Sequence, residues 1–567
     1  MTRMLLALLV AVSITAPPQA DLGTPSKTGL VVSTSSIASD VGADVLAAGG
    51  NAVDAAVATA FALAVTHPSA GNLGGGGFMV VRTPDGAAMT FDYREKAPGK
   101  STPTMYLDKS GNIDRSLTSS GYLAPGVPGT VRGLALAHRK LGKLPWKRLV
   151  DPAAALARDG FVLHAALARS LNSQLSGAMG RFPSSVAAYG KPGGGQWQTG
   201  DKIVLGDLSR TLQAIADDGP DAFYRGWIAD ALAADMAANG GLITKDDLAK
   251  YEAKERAPVR GTFNGYEIIS MPPPSSGGIA LIEMLNILET LGIEKLQAQS
   301  AEAKHLQIEA MRRAFLDRAR FLGDPDFSEI PVARLISKAH ARQVAATIDR
   351  NKASSSVELG KDIVTTSSNQ EPLETTHFSV LDRAGMAVSQ TYTLEGGYGS
   401  RVVAKGTGFL LNNEMGDFNK KPGETNTGGD IGTPANLIAP GKRMLSSMTP
   451  TIVTRNGRVV LITGTPGGRT IINTVMGVAL NVTAFGMNGR EAVDAPRMHH
   501  QWLPDRASLE TAAGAEVVAK LKAMGHDARL AGTQGDAHSI WIDPKTGTAY
   551  GINDKRSSDS KASAAKR

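Results

Sequence analysis

The spacing of apolar positions changes character near residue 375. Upstream, the clearest runs have helical steps of three and four; downstream, short β-rich blocks dominate. The alanine-rich stretch 41–65 has helical spacing and is stopped by Pro68. The glycine run 71–77 then leads into a predicted strand over 78–81. A long helix is predicted over 301–322, where Ile308, Met311, Phe315, Ala319 and Leu322 mark a buried face and Asp324-Pro325 ends it. Beyond Thr375, residues 377–381 and 386–391 read as a hairpin turning through 382–385. Residues 451–454 and 459–463 form another around Arg455-Asn456-Gly457. A helix is predicted over 471–484, and a last strand pair over 538–542 and 548–550. Hairpins, helices and hairpins again point to large antiparallel sheets covered by helices, an α+β arrangement.

Three segments depart from this pattern. Residues 351–372 are polar and serine- and threonine-rich, and read as an exposed, mobile segment just before Glu374-Thr375. The chain from about residue 555, basic and rich in serine and alanine, reads as a disordered tail. The glycine run lacks the Lys-Ser/Thr of a phosphate-binding loop and follows a helix instead of preceding one. It therefore predicts a close backbone approach, to protein or to substrate.

Composition narrows the function. The 567 residues are 42% hydrophobic and 20% charged, enough for a large core. A net charge of +7 with no long basic run among aromatics argues against nucleic acid. The absence of cysteine excludes disulfides, thiolate nucleophiles and zinc-thiolate sites. At the start, Arg3, the apolar stretch 4–16 and Pro17-Pro18-Gln19-Ala20 read as a signal peptide over 1–20. The apolar stretch falls well short of the ~20 residues that span a bilayer. The expected product is periplasmic or secreted, with no membrane segment after signal removal.

The chemistry centres on Thr375, in Glu374-Thr375-Thr376-His377, with Thr393 eighteen residues on. A threonine hydroxyl needs a base beside it. A cut between Glu374 and Thr375 would supply one, the new α-amine, with an ordinary pKa of roughly 7.7–8.0.

Several ordered blocks accompany this pair. They are Thr391-Tyr392-Thr393-Leu394, Leu411-Asn412-Asn413-Glu414-Met415 with Asp417-Phe418, Leu445-Ser446-Ser447-Met448-Thr449-Pro450, Gly464-Thr465-Pro466-Gly467-Gly468, Asp494-Ala495-Pro496-Arg497 and His499-His500-Gln501-Trp502. Upstream stand Gly50-Asn51-Ala52-Val53-Asp54-Ala55 and Asp92-Tyr93-Arg94-Glu95. Together they resemble the γ-glutamyltranspeptidases across nearly the whole mature chain. The resemblance implies an N-terminal-nucleophile αββα sandwich. It implies self-cleavage into a large subunit, 21–374, and a small one, 375–567, that stay associated as a heterodimer.

It also implies a γ-glutamyl ester on Thr375, drawn from glutathione or another γ-glutamyl compound. Water or the amine of an amino acid or dipeptide would resolve that ester. Thr393 would assist the nucleophile, and Gly467 and Gly468 would bind the oxyanion. Arg94, Ser446 and Ser447 would hold the substrate α-carboxylate, while Glu395, Glu414 and Asp417 would hold its ammonium. No cofactor and no metal are implied, and adjacent His499 and His500 read as structural.

Two positions differ from the family pattern. Glu395 replaces a common asparagine, with Arg401 a candidate partner. Gly428 replaces a common lid tyrosine in the loop 421–440, which implies a looser lid and more hydrolysis. An acylase for glutaryl or β-lactam side-chain amides, and an inert exported homologue, are the alternatives.

Overall fold

The computed structural model describes residues 21–363, 365–366 and 375–566. Glu374 and the segment 1–20 lie outside the described residues.

Two seven-stranded antiparallel sheets stack face to face. The first runs in the order Lys561–Ala564, Gly29–Ser33, Thr376–Asp382, Ala387–Thr393, Gly76–Arg82, Ala88–Asp92, Lys254–Arg256. The second runs Thr24–Ser26, Ala549–Ile552, Ser539–Ile542, Arg458–Thr463, Thr451–Arg455, Tyr266–Ser270, Val259–Phe263. Both faces of the first sheet are buried, so alternate side chains feed different cores. Met79, Val81, Phe378, Val380 and Val388 pack under helices Ser36–Ala47 and Ala52–Thr66. Phe78, Val80, Leu381 and Ala387 face the second sheet, whose far side carries helices Gly277–Thr290 and Thr470–Thr483. The layers are therefore helix, sheet, sheet, helix, the predicted αββα sandwich.

Polar cross-links also join the sheets. Ser389 Oγ donates to the Thr463 carbonyl at 2.9 Å and Ser379 Oγ to the His538 carbonyl at 2.7 Å. These contacts satisfy hydroxyls that would be costly to bury alone.

The helix predicted over 41–65 is two helices. Gly49, at φ +91°, and Gly50 break it, and Asn51 restarts it with a reciprocal cap to Asp54. Every residue of Ala52–Thr66 is buried, so alanine spacing carried no sign of a polar face. Helix Ala301–Phe321 is also buried almost all round, beyond its predicted stripe. Some of its charges pair within the helix: Glu309 bridges Arg313 at 2.6 Å and Arg312 at 3.3 Å.

The glycine run packs against the protein's own backbone. A Cβ at Gly74 would lie 2.2 Å from the Leu410 carbonyl oxygen, and one at Gly75 2.1 Å from that of Thr393. Only bare backbone fits beside the strand that carries Thr393.

Two other expectations are corrected. The tail expected to be disordered is ordered as strand Lys561–Ala564, which pairs with Gly29–Ser33 and buries Ala562 and Ser563. Backbone pairing with Gly29–Ser33, not hydrophobicity, holds it there, so its polar composition misled. Within the polar segment 351–372, Ser356–Leu359 is helical with Ser356 buried, and Thr365–Thr366 pairs in parallel with Thr425–Asn426. Residues 367–374 lie outside the described residues.

Ending the chain after Ser560 exposes the edge of Gly29–Ser33. Thermal melts of this truncation are expected to show a loss of about 1–3 kcal/mol, in the ordinary range for a lost packing element, whereas a dispensable tail would leave the melt unchanged.

Candidate active site

Strand register places the two threonines. Thr376 pairs with Tyr392 in the antiparallel ladder, so Thr375 falls opposite Thr393 at the strand ends. Their Oγ1 atoms are 3.3 Å apart, and Thr393 Oγ1 accepts from the Glu395 N–H at 2.8 Å. Both side chains line a cavity of about 130 Å³. His377 does not share it. Its Nδ1 meets Thr391 Oγ1 at 2.9 Å and its Nε2 meets Ser379 Oγ at 3.1 Å. Burial pushes its pKa well below the usual range, so it packs between the sheets as a neutral ring.

The opposite wall of the cavity is a charge cluster around Arg94, which is wholly buried. Arg94 Nη1 donates to Glu414 Oε1 and Nη2 to Asp417 Oδ2, each at 2.5 Å. Nε also donates to the Met444 carbonyl at 3.3 Å, and Glu95 Oε2 lies 3.6 Å from Nη1. Burial opposes the guanidinium charge, but Glu414 and Asp417 outweigh it and hold the pKa above its ordinary value. Burial pushes Glu414 well above the carboxylate range and Glu95 up to about 7, with Arg94 pulling against both. Arg94 thus intervenes between Glu95, Glu414 and Asp417. Arg401 Nη1 donates to the Ser119 and Gly399 carbonyls, and Asn413 Nδ2 donates to the Glu395 carboxylate. Glu395 and Arg401 both have positive φ, +78° and +63°, in the loop between the paired strands and Asn413.

The third wall comes from two turns. Gly467 (φ +127°) and Gly468 (φ +55°) lead into helix Thr470–Thr483. Among the described residues neither N–H donates to a protein acceptor. Gly468 lines the cavity at the positive end of that helix, an arrangement suited to a developing oxyanion. Ser446 and Ser447 also line it. Ser446 is fixed by its N–H to the Pro274 carbonyl at 2.9 Å, and Ser447 Oγ accepts from Arg318 Nη2 at 3.2 Å.

The cavity therefore gathers Thr375, Thr393, Gly468, Arg94, Glu395, Glu414, Asp417, Ser446 and Ser447, with Gly467 adjoining. Sequence reasoning missed Arg318, Asn413 and Arg115. Arg318 lies off the apolar stripe of its helix and carried no motif. Asn413 lay inside a quoted block, but its bond to Glu395 depends on the intervening loop. Arg115 meets Asp430 of the loop 421–440 at 2.5 Å across 315 residues of chain. Outside the cavity, His499 Nδ1 meets Asn473 Nδ2 at 2.7 Å and His500 Nε2 meets Asp505 Oδ1 at 3.1 Å.

An αββα sandwich with a strand-leading threonine beside a cavity defines an N-terminal-nucleophile hydrolase. Residues 38–564 match the Gamma-glutamyltranspeptidase family model, and the chain belongs to that family. It is 47% identical over 536 residues to the Glutathione hydrolase proenzyme of Escherichia coli (strain K12), covering 94% of this chain and 91% of that one. The crystal structure of a cephalosporin acylase from Bacillus halodurans superposes with a TM-score of 0.84 at 26% identity, covering 99% and 100% of the two chains. That of Helicobacter pylori gamma-glutamyltranspeptidase superposes with a TM-score of 0.56 at 42% identity, covering 60% and 95%.

Arg94→Met leaves three acids around an empty centre. Urea unfolding is expected to show a loss of about 3–5 kcal/mol, the usual cost of breaking a buried ion pair from one side. Glu95 has a folded pKa raised to about 7 from an ordinary value near 4.5, so the folded state holds its proton more tightly. Its stabilising contribution is complete below pH ~4.5 and is lost as pH rises through ~7. Glu95→Gln is expected to flatten the fall in stability across that window, measured by urea midpoints at several pH values.

Proposed function

We propose that this chain is a self-processing γ-glutamyltransferase and glutathione hydrolase. One observation carries the reading: a single cavity has the Thr375–Thr393 hydroxyl pair at one wall and the Arg94–Glu414–Asp417 cluster with Ser446 and Ser447 at another. A hydroxyl nucleophile thus faces groups of both signs, which matches the zwitterionic end of a γ-glutamyl compound.

In the precursor, Thr375 Oγ1 attacks the Glu374 carbonyl and the peptide becomes an ester. Water then hydrolyses the ester, giving chains 21–374 and 375–567. They stay paired because strand Thr376–Asp382 lies between Gly29–Ser33 of one and Ala387–Thr393 of the other. The new α-amine then serves as base for the same hydroxyl. Thr375 Oγ1 attacks the γ-carbonyl of the donor, and the Gly467 and Gly468 N–H groups stabilise the oxyanion. The amine leaves, cysteinylglycine in the case of glutathione, and a γ-glutamyl ester remains. Water completes hydrolysis, or the amine of an amino acid or dipeptide completes transfer.

Arg94, Ser446 and Ser447 bind the α-carboxylate; Glu395, Glu414 and Asp417 bind the ammonium. The substrate's two charges exchange partners within the Arg94 cluster. Thr393 orients the nucleophile. The 1–20 segment is read as an export signal, placing the enzyme in the periplasm or outside the cell. Among the described residues no helix is long and apolar enough to cross a membrane. Gly428 in the loop 421–440 favours hydrolysis over transfer.

The acylase reading has the likeness to the cephalosporin acylase structure in its favour. Three acids around the cavity disfavour it, because an acyl group lacking an α-ammonium brings no positive charge to them. Donors with and without the α-amino group separate the two: the γ-glutamyl reading requires kcat/KM to fall at least a hundredfold when that group is removed.

Mass and N-terminal sequence of the purified protein test the processing step. Two chains are expected, one starting Thr-Thr-His-Phe, with Thr375→Ala remaining uncut. An uncut wild-type chain would remove the base and with it the mechanism.

A further inference from the structure

A second cluster lies outside the cavity, where three helices meet. Helix Gly277–Thr290 supplies Glu283, Ala301–Phe321 supplies Asp317, and Lys338–Ala345 supplies His340. His340 Nε2 is 3.0 Å from Asp317 Oδ2 and 3.4 Å from Glu283 Oε1, and the three ligand atoms all lie within 4.8 Å of one another. Glu283 is 1% exposed, and its Oε1 makes no hydrogen bond among the described residues. The Asp317 and His340 side chains are 11% and 12% exposed, so solvent reaches one side of the cluster.

We propose that Glu283, Asp317 and His340 form a binding site for a divalent transition-metal ion of the Zn²⁺ class. Zinc bonds of roughly 2.0–2.2 Å to nitrogen and oxygen set tetrahedral ligand edges near 3.3–3.5 Å. The separations of 3.0 and 3.4 Å lie within a few tenths of an ångström of that spacing. One imidazole and two carboxylates suit Zn²⁺ or Mn²⁺ better than a soft ion. A water on the exposed side completes the shell, and the two carboxylates balance the ion's charge.

A second His/Glu cluster shows what an unsuitable site looks like. His305, Glu309 and His526 also approach one another, but Arg312 and Arg313 both pair with Glu309, and His305 Nδ1 meets His526 Nε2 at 2.7 Å. Two guanidiniums already occupy the place a cation would take. At the Glu283 site Arg320 lies 3.5 Å from Asp317 Oδ1, the oxygen away from His340, and also pairs with Asp362.

Metal competes there with protons. The neighbouring Asp317 and Glu283 raise His340 to about 9, and burial raises Glu283 to about 8. Imidazole and carboxylates bind a metal ion in their deprotonated forms, so binding at such a site releases protons. The ion would clamp three helices, one of which carries Arg318, the partner of Ser447 in the active-site cavity.

Equilibrium dialysis of the purified protein with Zn²⁺ after chelator treatment, read by elemental analysis, tests the site. Wild type is expected to bind one ion per pair of subunits and Thr375→Ala one per uncut chain. Glu283→Gln and His340→Gln, checked for folding by circular dichroism, are expected to lose at least tenfold in affinity. Asp317→Asn serves if either misfolds. Co²⁺ is expected to give a visible spectrum of nitrogen and oxygen ligation in wild type and Thr375→Ala but not in the ligand variants, and Zn²⁺ to raise the melting temperature of the first two. Equal binding by wild type and all folded variants, or no binding at any pH up to 9, would overturn the proposal and leave a proton-bridged ion pair.

Discussion

The pairing of Thr376–Asp382 with Ala387–Thr393 is the constraint on which the site depends. It is the central ladder of the first sheet, flanked on both sides and covered on both faces. Such a strand cannot slip by one residue without moving Phe378 and Val380 from the helix-side core into the space between the sheets. Thr375 is therefore fixed opposite Thr393. The glycine run presses bare backbone against the Thr393 carbonyl, so both threonines are held by rigid structure. A catalytic hydroxyl gains from such positioning, because small misplacements cost large factors in rate.

The second constraint is electrostatic. Arg94 is buried among Glu95, Glu414 and Asp417, an arrangement stable only because the guanidinium fork meets two carboxylates at once. The cluster has more acids than cations, and burial holds protons on Glu95 and Glu414 to compensate. An entering ammonium can take the place of such a proton. A buried but incompletely neutralised group of acids is thus a receptor for a positively charged α-amino end, and Arg94 beside it serves the carboxylate of the same ligand.

Much of this was legible in the sequence, for reasons specific to each part. The hairpins after Thr375 showed themselves through Asp382–Gly385 and Asn456-Gly457, whose turn chemistry is local. The site blocks were legible because each is a short contiguous run. What escaped was non-local or lacked periodicity. The break at Gly49–Gly50 hid inside an alanine-rich run with no polar face. Strand Lys561–Ala564 owes its order to Gly29–Ser33, more than 500 residues away, and its own composition is that of a tail. Arg318 and Arg115 reach the cavity only through tertiary packing. The burial of helix Ala301–Phe321 beyond its apolar stripe escaped because ion-pair partners such as Asp505 lie far along the chain.

The central claim is that Thr375 Oγ1 carries the γ-glutamyl group. Acid quenching during turnover of a γ-glutamyl donor, followed by peptide mass mapping, tests it most directly. The account predicts one added glutamyl residue on the peptide that begins at Thr375, labile to mild base as an ester is, and absent when donor is omitted. Label on any other residue, or steady turnover with no label trapped under any quench, would contradict it.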